Sequence, residues 1–345
     1  MSGNLADVAA KAGVSIATAS RALNGKGGVK PETRDRILTI AQELNYAASM
    51  AGRGLATSST QTICYVMSQL YDPIEEDPFY PIIMRGVEAE LSNKGYHLLL
   101  TVARGEQLKS VANFKPVAEG RVDGIILAGP DIPPRFIVEL KHQGIPILLI
   151  DNNLPTMPID TVNNDDQRGG QLATTHLIEH GHATIVALLG PQSWFSSMRR
   201  GQGYQLAMQQ ANLPPYMFHS EMGTNIETGK KLMDQALDAV PNLTAVFAAN
   251  DAMAVGAMRM LVQRRLRVPE DVAVIGFDDT LYSALSEPPL STMRVFKQEL
   301  GKLAAKRMLE MLEDEDSTHR PEVQALLATE LVTRRSCGCE TDNQW

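Results

Sequence analysis

Cysteine is scarce: three residues in 345, an odd number with no repeated spacing. That excludes a disulfide scaffold and points to a reducing compartment. Long apolar runs are missing too. The longest, such as IPILLI, fall far short of a membrane span, so no membrane partner is expected. The first residues, MSGNLADVAAKAGVS, lack a basic stretch leading into an apolar run, so a cytoplasmic location is expected. Neither a fixed-period repeat nor a GxSxG, P-loop or GxGxxG pattern stands where its chemistry would need it. With no visible nucleophile–base pair, an enzyme is not expected, and no cofactor is implied.

The chain does have an ordinary globular composition, 44% apolar and 21% charged, at a length suited to two or three domains. Its net charge of −8 is uneven. The first sixty residues hold seven basic against four acidic side chains; the remainder holds 25 against 36. A basic head on an acidic body suggests that only the head meets a polyanion.

In that head, Leu5, Val8, Ala9 and Ala12 fall on one helical stripe, with Asn4 able to cap it and Gly13 to end it. Ser15 restarts a helix that runs to Leu23 before Asn24-Gly25, and Pro31 opens a third with Ile37, Ile40, Ala41 and Leu44. Two short helices joined by a tight turn, then a third, make the helix-turn-helix pattern; a generic three-helix cap fits the periodicity equally well. In the DNA-binding version the second helix enters the major groove. Ile16, Ala17 and Arg21 would face base edges there, and the short hydroxyls of Ser15, Thr18 and Ser20 suit phosphate oxygens.

The wording of the segment, ADVAAKAGVSIATASRALNG followed by VKPETRDRILTIAQELNY, resembles the DNA-binding headpiece of the lactose-repressor (LacI/GalR) family over a long ordered run. The resemblance makes Ile16 and Ala17 the variable readers of operator sequence and Arg21 a base or phosphate contact, with Asn24 in the same interface. It implies that Ala47–Ala56 is a hinge helix that orders on DNA and wedges Leu55 into the minor groove, a device that bends the duplex. A plain linker is the alternative, since Gly52 and Gly54 each cost about 1 kcal/mol of helix propensity. Lys30 stands where the family usually has a capping Ser, which weakens the third helix by about 0.5–2 kcal/mol.

The rest alternates β-rich runs (TICYVM, HLLLTV, GIILAG, PILLID, TIVALLG, AVFAAN, VAVIGFDD) with helical stripes, the pattern of parallel sheets covered on both faces. The runs outnumber one sheet's needs, so two Rossmann-like lobes facing a ligand cleft are expected, with ligand at the carboxyl ends of the strands. The segments EDPFYPIIMRGVE, RRGQGY, VFAANDAMAVGAM and VAVIGFDDT resemble the same family and the periplasmic sugar-binding proteins. By that resemblance Asp77, Phe79, Tyr80, Asp151, Arg200, Asn250 and Asp278 line the cleft. Trp194 and Ser196 join them from the loop after TIVALLG, Trp194 offering a stacking surface where the family's aromatic near Thr224 is missing. Val295 stands where a polar cleft residue is usual. Carboxylates, a guanidinium and flat rings suit a polyhydroxylated ligand. Asp251 and Asp279 are expected simply to cap helices.

The expected organisation is a headpiece over 1–46 and a hinge over 47–60. The N-terminal lobe takes 61–158 with about 296–322, the C-terminal lobe 159–295 with about 323–340. His176 and His180, spaced i, i+4, could bind a metal but show no third ligand nearby in the sequence, so a solvated face is expected. Cys337-Gly338-Cys339 supplies only two of the four ligands zinc prefers. The resemblance implies a dimeric regulator, most simply a repressor of sugar uptake or catabolism, that binds double-stranded operator DNA and responds to a sugar. A purine, another metabolite or a phosphoprotein is the alternative effector; a solute-binding protein or an enzyme on the same scaffold is the alternative class.

Overall fold

The computed structural model describes residues 4–23, 27–44, 59–68, 78–221, 223–314 and 320–339. Two compact units meet in the chain at Gln61 and Thr62.

The first unit is three helices, α1 (Leu5–Ala12), α2 (Ile16–Leu23) and α3 (Pro31–Glu43). Asn4 and Asp7 form a reciprocal capping box on α1, and Gly13, at φ 62°, ends it in a left-handed conformation that glycine adopts without strain. Val8, Ala9, Ala12, Ala19, Ala22, Ile37 and Ala41 bury against one another as its core. The small side chains let short helices approach closely. Lys30 holds the N-cap position of α3 with no side-chain cap bond, as the missing hydroxyl predicts.

The second unit contains two sheets. In chain order the elements are β1 (Thr62–Ser68), α4 (Phe79–Asn93), β2 (His97–Ala103), α5 (Lys115–Ala118), β3 (Gly124–Ala128), α6 (Pro134–His142), β4 (Ile147–Ile150), β5 (Asp160–Asn164), α7 (Asp166–Glu179), β6 (Ile185–Leu189), α8 (Phe195–Gln210), β7 (Tyr216–His219), α9 (Ile226–Ala239), β8 (Ala245–Ala248), α10 (Asp251–Gln263), β9 (Ala273–Asp278), α11 (Leu281–Leu285), β10 (Ser291–Arg294), α12 (Lys297–Glu313), β11 (Gln324–Leu327) and β12 (Glu330–Val332). The sheets run β11–β5–β4–β3–β1–β2 and β12–β10–β9–β8–β6–β7. Every pairing is parallel except β10 with β12. In the first sheet Cys64, Val66, Ile125 and Leu127 enter one core while Ile63, Tyr65, Met67 and Ile126 enter another, the period-2 signature of a sheet covered on both faces.

Strand pairing corrects two expected lobe boundaries. Asp160–Asn164 pairs with β4, and Gln324–Leu327 pairs with Asp160–Asn164, so both belong to the first lobe. The chain changes lobe after Asn164 and after Leu327, not at 158/159 and 322/323. The reason is chemical: β5, DTVNN, is wholly buried yet mostly polar, and its Asp160 and Asn163 side chains are satisfied internally. Asp160 accepts from Arg307 Nε at 2.8 Å and from Val323 N at 3.0 Å, and Asn163 Nδ2 donates to Asn152 O at 3.0 Å.

Three helix pairs cross at reciprocal glycines. A Cβ on Gly86 would lie 2.2 Å from Gln298 O, and one on Gly301 2.1 Å from Ile83 O. Gly170 and Gly203 do the same for α7 and α8, and Gly229 and Gly256 for α9 and α10. Among the described residues no helix is long and apolar enough to cross a membrane.

Candidate DNA-reading helix and effector site

On α2, Ala19 and Ala22 face inward, which leaves Ile16, Ala17 and Arg21 on the exposed side. Ile16 is 54% exposed. Ser15 caps α2, its Oγ accepting from Thr18 N at 3.1 Å and lying 2.9 Å from Thr18 Oγ1. Ser20 is half-buried on the same helix. Asn24, Leu55 and the hinge over 47–58 lie outside the described residues, as does Asp77.

In the second unit, residues that follow strands of both sheets meet. Tyr80, in the first turn of α4, donates its hydroxyl to Asp151 Oδ2 at 2.5 Å, immediately after β4. Ser196, in the first turn of α8, bonds the same carboxylate from the other lobe. Arg200, one turn further along α8, binds Asp166 through Nε at 2.8 Å and stands 3.2 Å from Asp278 Oδ1 through Nη2. Its Nη1 donates to Ala249 O, and its guanidinium lies 3.8 Å over the Phe277 ring. Arg200 is 6% exposed, Asp151 6%, Asp278 5% and Asp166 2%.

Burial works against the Arg200 charge, yet Asp166, Asp278 and Asp151 together hold the proton more firmly than usual. Burial also raises the carboxyls, Asp166 to about 7, while Arg200 pulls each back down. Oδ1 of Asp151 is buried without a hydrogen bond, whereas Oδ1 of Asp278 has the ion pair with Arg200. Asp151 and Asp278 also sit at φ 55° and 106°, conformations uncommon outside glycine. Lys297 supports the turn at Asp278: its buried ammonium donates to the carbonyls of Asp278, Asp279 (3.1 Å) and Val295 (3.3 Å).

Other expected site residues take different places. Phe79 is buried in the core, edge-to-face with Tyr80 at 5.1 Å. Trp194 is the N-cap residue of α8 and nearly buried. Asn250 caps α10, Oδ1 accepting from Met253 N at 2.9 Å and Nδ2 donating to Thr224 O at 2.8 Å. Asp251 and Asp279 are not the caps; Asn250 and Thr280 hold those positions. Asp251 instead binds Thr280 N (2.7 Å) and Thr292 Oγ1 (2.5 Å), and Asp279 binds Arg294 (2.8 Å) and Arg334 (2.7 Å). Asp166 and Lys297 were not foreseen. Asp166 follows a strand that does not read as one, and a lysine carries no pattern that announces burial.

Residues 4–49 match the model for bacterial regulatory proteins of the lacI family, and residues 174–337 match a periplasmic binding protein-like domain. The HTH-type transcriptional repressor PurR of Aliivibrio salmonicida is 32% identical over 334 residues, which is 96% of this chain and 97% of that protein. The chain belongs to the LacI family. It is similar to a transcriptional regulator CelR–cellobiose complex at 30% identity and TM-score 0.72, covering 97% of this chain and 99% of that one. A Lac repressor dimer bound to operator and the anti-inducer ONPF matches at 26% identity and TM-score 0.82, over 98% and 99% of the two chains. As a LacI-family member the protein is a DNA-binding transcriptional regulator; α1 to α3 are its headpiece, and the two lobes are its effector core. These relatives are regulators and not enzymes.

Proposed function

We propose that this LacI-family protein is a cytoplasmic homodimeric repressor of sugar uptake or catabolism genes, that it is not an enzyme, and that a neutral polyhydroxylated effector binds where Tyr80 and Asp151 of one lobe meet Ser196, Arg200 and Asp278 of the other. The observation that carries the reading is the buried Oδ1 of Asp151, which has no hydrogen-bond partner, close to Asp278, whose Oδ1 meets Arg200 Nη2 at 3.2 Å. An acceptor so placed calls for a donor, and ligand hydroxyls are donors. Asp151, Asp166 and Asp278 outnumber the one guanidinium among them, which disfavours an anionic effector. Trp194 and Asn250 border the same strand ends, Phe79 backs Tyr80, and Asp77 precedes that turn in sequence. The CelR–cellobiose complex supports a saccharide class.

In the headpiece, Ile16, Ala17 and Arg21 read base edges, Ser15, Thr18, Ser20 and Asn24 meet the backbone, and Leu55 enters the minor groove. The exposed Val262, Leu281 and Leu285, beside a cavity of about 540 Å³ between α10 and α11, support a dimer contact on the second lobe. An effector acts by binding the DNA-competent and incompetent core states with different affinity.

The test pairs two titrations: duplexes selected from a random pool by the protein, read by fluorescence anisotropy, and a panel of neutral sugars, sugar acids and purines, read by calorimetry. Arg21→Ala should lose DNA binding and keep effector binding, while Asp278→Asn should do the reverse. A panel hit confined to anionic ligands, or unchanged sugar affinity in Asp278→Asn, refutes the effector reading.

A further inference from the structure

The two histidines of α7 and the two cysteines near the end of the chain are far apart in sequence and adjacent in space. Cys339 Sγ lies 3.3 Å from His176 Nε2 and 3.4 Å from His180 Nε2. Cys337 Sγ lies 3.1 Å from Cys339 Sγ. The His176, His180 and Cys339 donor atoms all fall within 4.8 Å of one another, the only such cluster among the described residues.

Three groups converge on the one thiol of Cys339. A cysteine has one S–H, and Cys339 has two imidazole nitrogens and a sulfur at bonding distance. His180 Nδ1 is 2.8 Å from its helix neighbour's carbonyl, His176 O, an acceptor that fixes the ring proton on Nδ1 and leaves the Nε2 lone pair directed at the sulfur. Orientation of a ligating imidazole by a backbone carbonyl is the usual outer support of a metal site. With Zn–S near 2.3 Å and Zn–N near 2.0–2.1 Å, tetrahedral ligands lie about 3.5 Å apart, close to the two S···N distances here.

The supporting framework is rigid. Ser336 Oγ accepts from Ser291 N at 2.8 Å and donates to Val274 O at 2.6 Å, which fixes the residue before Cys337. Gly338, at φ 86°, turns the chain between the cysteines. The site sits at the C-terminal end of α7, where the helix dipole favours positive charge. His180 is exposed, so an ion has a route in.

We propose that His176, His180 and Cys339, with Cys337 as fourth donor, form a binding site for a thiolate-preferring divalent cation of the zinc class, which ties the C-terminal segment to the end of α7. Two imidazoles and two thiolates select such an ion over hard cations that need oxygen ligands. The site is separate from the effector cluster, although Asp166, which holds Arg200, begins the same helix.

The test uses the full-length reduced protein, stripped with a chelator, loaded with Zn²⁺ and desalted. One zinc per chain should remain by elemental analysis, and Co²⁺ should give thiolate charge-transfer bands. His180→Gln changes an exposed side chain and should fold; it and Cys339→Ser should each weaken Zn²⁺ more than the roughly 10–100-fold typical of lost outer-shell support. Cys64→Ser, at a buried thiol elsewhere, should leave binding unchanged. Failure of the reduced protein to retain zinc, equal retention in His180→Gln, or a Cys337–Cys339 disulfide formed in preference to metal binding would each overturn the proposal.

Discussion

The core strands of the first lobe run in the order β2–β1–β3–β4–β5 and those of the second in the order β7–β6–β8–β9–β10, the same winding used twice. Their closures differ. The first lobe adds β11 in parallel and the second adds β12 antiparallel, although only two residues separate those strands. Each lobe fastens its returning chain with one carboxylate held by two arginines: Asp160 by Arg307 and Arg320, Asp279 by Arg294 and Arg334. The division of labour at the proposed effector cluster is unequal. The first lobe contributes an acceptor, Asp151, with its Tyr80 donor; the second contributes the cation, Arg200, and the turn that Lys297 holds. A duplicated scaffold therefore carries two different halves of one polar site, and closure brings unlike groups together.

Arg200 is where that comparison breaks most readily, because one guanidinium pairs with Asp166 and Asp278 of the second lobe and also feels the charge of Asp151 in the first. Arg200→Ala should destabilise the core by about 3–5 kcal/mol, the usual cost of leaving buried charges without their partner. Urea unfolding of the full chain measures it. Arg200→Lys should recover only part of the loss, since an ammonium cannot reproduce the fork to Asp166 and Ala249 or the stacking on Phe277. A variant as stable as the parent would show that Asp166 and Asp278 do not depend on this guanidinium.

A smaller effect separates the two fastenings. The Asp160 side chain is 1% exposed and that of Asp279 14%. Asp160→Asn should therefore cost more than Asp279→Asn, with both inside the 0.5–3 kcal/mol range common for point changes. Salt should narrow the Asp279 loss and barely alter that of Asp160, because screening reaches exposed pairs first. Equal losses with equal salt dependence would mean the fastenings are equivalent after all.

How much of this was legible in the sequence follows from the same contrast. The headpiece was readable to the level of caps: the Asn4–Asp7 box, the Gly13 stop and the missing hydroxyl at Lys30 are local signals whose chemistry acts within four residues. The apolar strands were readable from their runs. DTVNN was not, since a buried strand that satisfies Asp and Asn through distant partners such as Arg307 looks like a loop from within its own window. Asp151 and Asp278 could be named as positions after strands, but not as positive-φ residues, and their partners, Tyr80 for Asp151 and Arg200 for Asp278, lie far along the chain. His176, His180, Cys337 and Cys339 were each visible; only the fold brings the two pairs together.

The smallest expected effect is a pH dependence confined to the second lobe. Asp251 is buried beside Asp278, and burial first, then that neighbouring charge, pushes its carboxyl up to about 8 against an ordinary 3.8. Its folded form thus holds a proton more tightly than its unfolded form. The resulting stability is fully present below about pH 4 and is lost as pH rises through about 8. Asp166 acts in the same direction up to about 7. The parent core should therefore lose melting temperature as pH rises, and Asp251→Asn should flatten the part between about 7 and 8 and reduce the slope below it to what Asp166 supplies. Asparagine keeps the geometry, since its oxygen can accept from Thr280 N and its amide can donate to Thr292 Oγ1, the partners Asp251 already has. Thermal melts of both proteins across that range decide it. If the slope between 7 and 8 survives in the variant, Asp251 is ionised throughout, and the Thr280 and Thr292 donors are strong enough to hold a buried charge.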